Sequence, residues 1–136
     1  MDGYNNKWRL IMAALLHLKM DIDLEQAGAM FEKKFAERVA NLPGLKFKIW
    51  GIDNKKGECS GFYIYETRRD AEIRARSATA FLMAMFPGVT NATAQIYDIN
   101  EELSRITKAP LDIQSNPSYP DVDDLDQLSD FNLSKR

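Results

Sequence analysis

Histidine occurs once in this chain, at His17, and it is the side chain whose ordinary pKa moves a proton near neutral pH. Beside a phenol or an acidic C–H it would act as a general base. Tyr63 and Tyr65 alternate in GFYIY and Trp50 closes KFKIW. Their rings can stack on a flat aromatic compound, and a tyrosine hydroxyl can polarise a carbonyl or hold a phenolate. Each has a plainer reading: aromatics on adjacent strands pack against one another, and a strand histidine can simply be hydrogen-bonded at an interface. His17 and Tyr65 are the catalytic candidates. Trp50, Tyr63, Phe31, Phe35, Phe47 and Phe62 are the substrate-binding candidates, the phenylalanines equally suited to filling a core. A metal centre is not expected, because a lone histidine lacks companions at ligand spacing. Cys59 has no base beside it in sequence to make it a nucleophile. The chain carries no glycine-rich phosphate loop, nucleophile elbow or HExxH motif.

Length and composition narrow the classes. A chain of 136 residues with 45% hydrophobic and 28% charged residues supports one hydrophobic core. A net charge of −2 gives no electrostatic footprint for nucleic acid. The single cysteine excludes an internal disulfide, and the apolar run from Leu10 to Leu18 is too short to span a bilayer. A cytoplasmic protein without nucleic-acid or membrane partners is the expectation. Charge is uneven along the chain. Residues 110–136 contain three prolines, six acidic and two basic residues, leaving 16 basic and 14 acidic residues in 1–109. The organisation read from this is an N-terminal leader (1–10), a domain (11–109) and an acidic, proline-containing tail (110–136). The tail is either mobile or laid over the domain through Tyr119, Val122, Leu125, Leu128 and Phe131.

The elements that must position these residues follow from periodicity. MAALLHLKM (12–20) reads as a buried strand. Asp23 with Gln26 forms a capping box, and Leu24, Ala27, Phe31, Phe35, Val39 and Leu42 make one amphipathic helix ended by Pro43-Gly44. Residues 45–52 and 59–66 alternate as strands around a 53–57 hairpin loop. Thr67 caps a helix running to Phe86, with Asp70 in its first turn. Residues 92–99 form the last strand, and Asn100 caps a short terminal helix. Arg68, Arg69, Arg74 and Arg76 read as a solvated helix face, one of them available to an anionic ligand. Met83, Met85 and Phe86 offer an adaptable wall or plain packing.

The order strand, helix, strand, strand, helix, strand is the α+β, ferredoxin-like βαββαβ arrangement with a four-stranded antiparallel sheet. Right-handed crossovers put both helices on one face and leave the other bare. Strand alternation places Leu16, Leu18, Met20, Leu45, Phe47, Ile49, Phe62, Ile64, Ala94 and Ile96 under the helices. It places Leu15, His17, Lys19, Lys46, Lys48, Trp50, Tyr63, Tyr65, Gln95 and Tyr97 on the bare face. Four large aromatics there call for cover, which a second copy would supply.

The blocks LHLKM, PGLKFKIW, SGFYIY and YDINEELSRI, in that order and spacing, resemble the YdhR-like monooxygenase family of the dimeric α/β-barrel superfamily, over about residues 12–111. The stretch MAMFPGVTNA looks slightly longer than the family pattern. The resemblance implies a homodimer paired through the open sheet face, with a cavity between sheet and helices in each subunit. It also implies similarity to monooxygenases of aromatic polyketide (secondary) metabolism that oxidise polycyclic phenols without haem, flavin or metal, so no cofactor is expected. His17 falls on a family histidine of the first strand. The superfamily's cyclases and isomerases suggest one alternative, a cofactor-free cyclase or isomerase on the same pocket; a second, from a different class, is a non-catalytic small-molecule-binding dimer.

Overall fold

The computed structural model describes residues 11–120. Strand β1 (Ala14–Ile22) leads to helix α1 (Leu24–Ala27), a 3₁₀ turn (Gly28–Phe31) and helix α2 (Lys33–Val39). Strands β2 (Leu45–Asp53) and β3 (Glu58–Tyr65) form the hairpin. Helix α3 (Arg68–Met85), strand β4 (Val89–Asp98) and helix α4 (Glu101–Ile106) complete the body. The sheet is four-stranded in the order β2-β3-β1-β4, and every pairing is antiparallel. This is the ferredoxin-like βαββαβ fold.

The caps sit where the side chains dictate. Asp23 accepts from the Glu25 N–H and Thr67 from the Asp70 N–H, and Asn100 accepts from the Leu103 N–H. Gln26 does not close a capping box on the backbone; its amide donates to the Asp23 carboxylate instead. The helix expected over 24–42 is interrupted. Glu32 is extended (φ −84°, ψ 149°) and becomes the N-cap of α2. The kink buries Met30 and Phe35 while leaving Phe31 38% exposed, so Phe31 is a rim residue rather than part of a continuous apolar stripe.

The main core lies between the helices and one face of the sheet. It joins Leu16, Leu18, Tyr63 and Tyr65 to Phe35, Val39, Ala78 and Leu82. Register corrects the alternation read from sequence. Leu16 pairs with Tyr63 and Ala14 with Tyr65, while Lys48 pairs with Tyr63 and Trp50 with Gly61. Directly paired residues share a face, so Lys48, Trp50, Tyr63 and Tyr65 point toward the helices. His17 pairs with Phe62 and Leu15 with Ile64; Ile49 pairs with Phe62 and Phe47 with Ile64. Phe47, Ile49, Phe62 and Ile64 therefore lie on the open face with His17. A bulge between Leu45 and Phe47 lets Leu45 stay buried although Phe47 faces out. The assignments for β1 and β4 stand, with Ala94 and Ile96 inward and Gln95 and Tyr97 outward. Both faces of the hairpin carry large apolar or aromatic side chains, and the more strictly apolar one is the open face, so hydrophobicity alone points the wrong way. A shift of one residue exchanges them all.

Residues beyond 109 continue onto the domain. Leu111 is buried with Ala13, Ile64 and Ile99 at one end of the open face. The chain then rounds the start of β2: the Asn116 N–H donates to the Leu45 carbonyl, and the Gly44 N–H donates to that of Pro117. The described segment then reaches the helix side, with Tyr119 buried. The backbone of β2, at the edge of the sheet, is thereby partly covered. The other anchors proposed for this segment, Val122, Leu125, Leu128 and Phe131, lie outside the described residues, as does the 1–10 leader.

Candidate active site

A cavity opens between the sheet and the α1–α2 region, with Leu18, Met20, Met30, Phe35 and Leu82 as its apolar lining. Its mouth lies at Phe31 and Trp50, which are 38% and 37% exposed. Some 20 Å³ is open to the centre of a water molecule, room for about one water. A larger guest enters only if a side chain at the mouth or floor swings aside.

The floor comes from the hairpin. Lys48 projects inward from β2, and its Nζ lies 3.2 Å from the centroid of the Trp50 ring and 4.6 Å from that of Tyr63. This is cation–π geometry. Gly61 stands on β3 opposite Trp50. A Cβ there would come within 2.9 Å of the Lys48 Cε, so the glycine makes the space in which the lysine lies. Burial, helped by the positive charge of Arg74 and opposed by Cys59, lowers the Lys48 pKa to about 7. Desolvation penalises the ammonium form. Burial conversely pushes the Cys59 thiol up, against Lys48, so it stays protonated at neutral pH.

Behind Tyr63 sits a second cation. Arg74 of α3 is buried, not solvated as its sequence position suggested. Burial raises the pKa of the Tyr63 phenol, and the charge and hydrogen bond of Arg74 oppose it. Arg74 acts in the same sense on Tyr65 and Tyr119, which burial raises. The hydroxyls of Tyr65 and Tyr119 and the Nε of Arg74 have no hydrogen-bond partner among the described residues.

Of the residues singled out by sequence, Trp50, Tyr63, Phe31 and Phe35 meet at this cavity. The Phe35 ring packs edge-on to Trp50 with centroids 6.1 Å apart. Tyr65 is fully buried and stacks on Tyr63 at 6.2 Å, outside the cavity lining. His17 is on the opposite side of the sheet, stacked on Phe62 at 4.5 Å with its Nε2 3.0 Å from the Ser60 Oγ. Phe47 packs on the open face beside the Leu111 cluster. So His17, Phe47 and Phe62 do not join the helix-side cavity. Sequence reasoning missed Lys48, which alternation put on the bare sheet face, and did not single out Arg74 from the four arginines it read as a solvated helix face. The available signal was Gly61 in the facing strand, a missing side chain that leaves room for a long one from β2. Among the described residues, no group of three or more His, Cys, Asp or Glu side chains could hold a metal ion. No described helix is long and apolar enough to cross a membrane.

The family model described as "Putative mono-oxygenase ydhR" matches residues 14–110. The chain belongs to the ydhR family. The match runs from the start of β1 through α4, and so takes in every cavity residue. Among solved structures, one similar chain is the heme-degrader MhuD from Mycobacterium tuberculosis, determined with two hemes in its active site. It is 18% identical with a TM-score of 0.44, over 64% of this chain and 95% of that one. Another is a protein from Chloroflexus aurantiacus J-10-fl described as a "putative Antibiotic biosynthesis monooxygenase", 13% identical with a TM-score of 0.40, over 65% and 95% of the two chains. No curated protein matches this sequence.

Proposed function

We propose that this ydhR-family chain is a cofactor-independent monooxygenase that oxidises an aromatic or polyketide-like small molecule in the helix-side cavity. The observation that carries the reading is the cavity floor: an amine with a pKa of about 7 lying over two aromatic rings, Trp50 and Tyr63. Removing a proton from an acidic CH₂ of the substrate makes an electron-rich carbanion that can react directly with dioxygen. The CH₂ becomes C=O, and the second oxygen atom leaves with both hydrogens as water, so no external reductant is consumed. A base with a pKa near the working pH suits that first step, and the apolar lining keeps bulk water from the intermediate.

The working unit in this reading is a homodimer joined through the open sheet face. Ile49 and Tyr97 are 58% and 50% exposed there, beside the stacked His17–Phe62 pair. Pairing two such faces about a twofold axis would bury them, and gives His17 an interface role. Oxygen-electrode assays with an anthrone and a naphthol, without added cofactor and with a metal chelator present, should show uptake matched by product. No uptake across a broad phenol and anthrone panel would overturn the reading, as would product formed with no oxygen consumed, which is isomerase or cyclase behaviour.

A further inference from the structure

Lys48 is a largely buried amine with no ion-pair partner among the described residues, and the guanidinium of Arg74 behind it is in the same position. The paired carboxylates serve other cations: Glu58 holds Lys19, Glu66 holds Lys46, Glu72 and Asp98 hold Arg68, and Glu101 and Asp112 hold Arg105. Lys48 thus lies in apolar surroundings with no carboxylate in contact among the described residues, and the buried carboxylate one turn before Arg74, Asp70, is taken up by Thr67, Ser118 and the Tyr119 N–H. Such an arrangement is costly for the empty protein. An entering oxyanion removes the cost.

We infer that Lys48 is the oxyanion-holding group of the cavity, and that its ligand is a small planar aromatic acid: an arylcarboxylate or an acidic phenol. The flat part of the ligand would lie along Trp50 and Tyr63, and its negative oxygen would take the Nζ of Lys48. Lys48 already fills the space over Gly61 and covers the Trp50 ring, so the amine must swing off that ring as the ligand enters. Arg74 adds positive potential from behind Tyr63. This rests on the same cavity as the proposed oxygenase but concerns binding, which needs no turnover.

The proton count distinguishes the two ligand types. The titratable or charged groups around Lys48 are Tyr63 and Cys59 from β3 and Arg74 from α3, while β1, the 3₁₀ turn and α2 contribute Leu18, Met20, Met30, Phe31 and Phe35. With its pKa at about 7, free Lys48 is about half protonated at pH 7. A carboxylate arrives ionised and draws about half a proton from solvent to complete the ammonium. A phenol brings its own proton to Lys48, and about half a proton is released instead.

Calorimetric titration of the full chain with 2-naphthoate, 2-naphthol and 2-methylnaphthalene, in two buffers of different ionisation enthalpy, tests this. At least one of the two acids should bind about tenfold or more tighter than the neutral hydrocarbon. Uptake with naphthoate, or release with naphthol, names which source the site prefers. Naphthoate affinity should fall about tenfold per pH unit above pH 7. Lys48→Met should abolish both the preference and the proton exchange, and Lys48→Arg should keep the preference while losing the pH dependence. Equal binding of acid and hydrocarbon, or an acid preference that persists in Lys48→Met, would overturn the inference. A preserved preference without oxygen uptake would count against the oxygenase reading alone.

Discussion

The Ser118 hydroxyl donates to the Asp70 Oδ2 at 2.8 Å across 48 residues of sequence. Asp70 is completely buried, and the same carboxylate accepts from the Thr67 hydroxyl at 3.0 Å and from the Tyr119 N–H at 3.3 Å. One side chain therefore joins the start of α3 to the end of the described chain. Arg69 adds hydrogen bonds to the carbonyls of Tyr119 and Pro120. Asp70→Ala strands three donors and is expected to cost about 2–4 kcal/mol. Urea unfolding measures the loss, and limited proteolysis should find residues 110–120 cut far faster than in the unaltered protein.

Gly44 lies against that carboxylate with φ +74°, and a Cβ on it would stand 2.2 Å from the Asp70 Oδ2. Backbone strain and the clash act together, so Gly44→Ala should destabilise by about 2–4 kcal/mol. Gly28 serves as the comparison, because a Cβ added there would meet nothing within 4 Å. Gly28→Ala should leave the urea midpoint nearly unchanged or raise it slightly.

Stability should carry the signature of Lys48. Its folded pKa is about 7, below the ordinary lysine value near ~10.4. Between those values the unfolded chain binds the extra proton, so stability rises with pH across that window, by at most about 1.4 kcal/mol per pH unit. Below pH 7 both states are protonated and the slope vanishes. Urea titrations at pH 7.0, 7.5, 8.0 and 8.5 should show the rise in the unaltered protein and not in Lys48→Met. The range stays below the ordinary titration of tyrosine and limits that of Cys59, whose raised pKa acts in the opposite direction.

The open face should respond to charge. Ile49 is 58% exposed and contributes nothing to the main core, so Ile49→Asp should leave the unfolding of each subunit nearly intact. In the proposed dimer it would put two buried carboxylates at the seam. Light scattering at micromolar concentration should give a dimer mass for the unaltered protein and a monomer mass for the variant. A monomer in both cases would refute the dimer.

Much of the fold was legible because local chemistry agrees with it. Asp23, Thr67 and Asn100 cap helices where their side chains can reach free N–H groups, and Pro87-Gly88 falls where α3 must end. The break at Glu32 was not legible, since the apolar spacing through Phe31 and Phe35 suits a continuous helix as well as an interrupted one. Packing of Met30 and Phe35 into the core decides it.

The site divides along the same line. By itself the sequence determined the βαββαβ order, the bare sheet face and the aromatic content of the hairpin, because capping, alternation and turn residues act over a few positions. Only the tertiary structure decided that Trp50 and Tyr63 share a cavity with Phe31 and Phe35 while His17 and Phe62 lie across the sheet. That choice depends on the register of β3 against β1, a pairing between strands far apart in the chain, in a hairpin apolar on both sides. The pairing of β2 with β3 likewise moved Lys48 from the bare face to the helix side, where burial lowers its pKa to about 7.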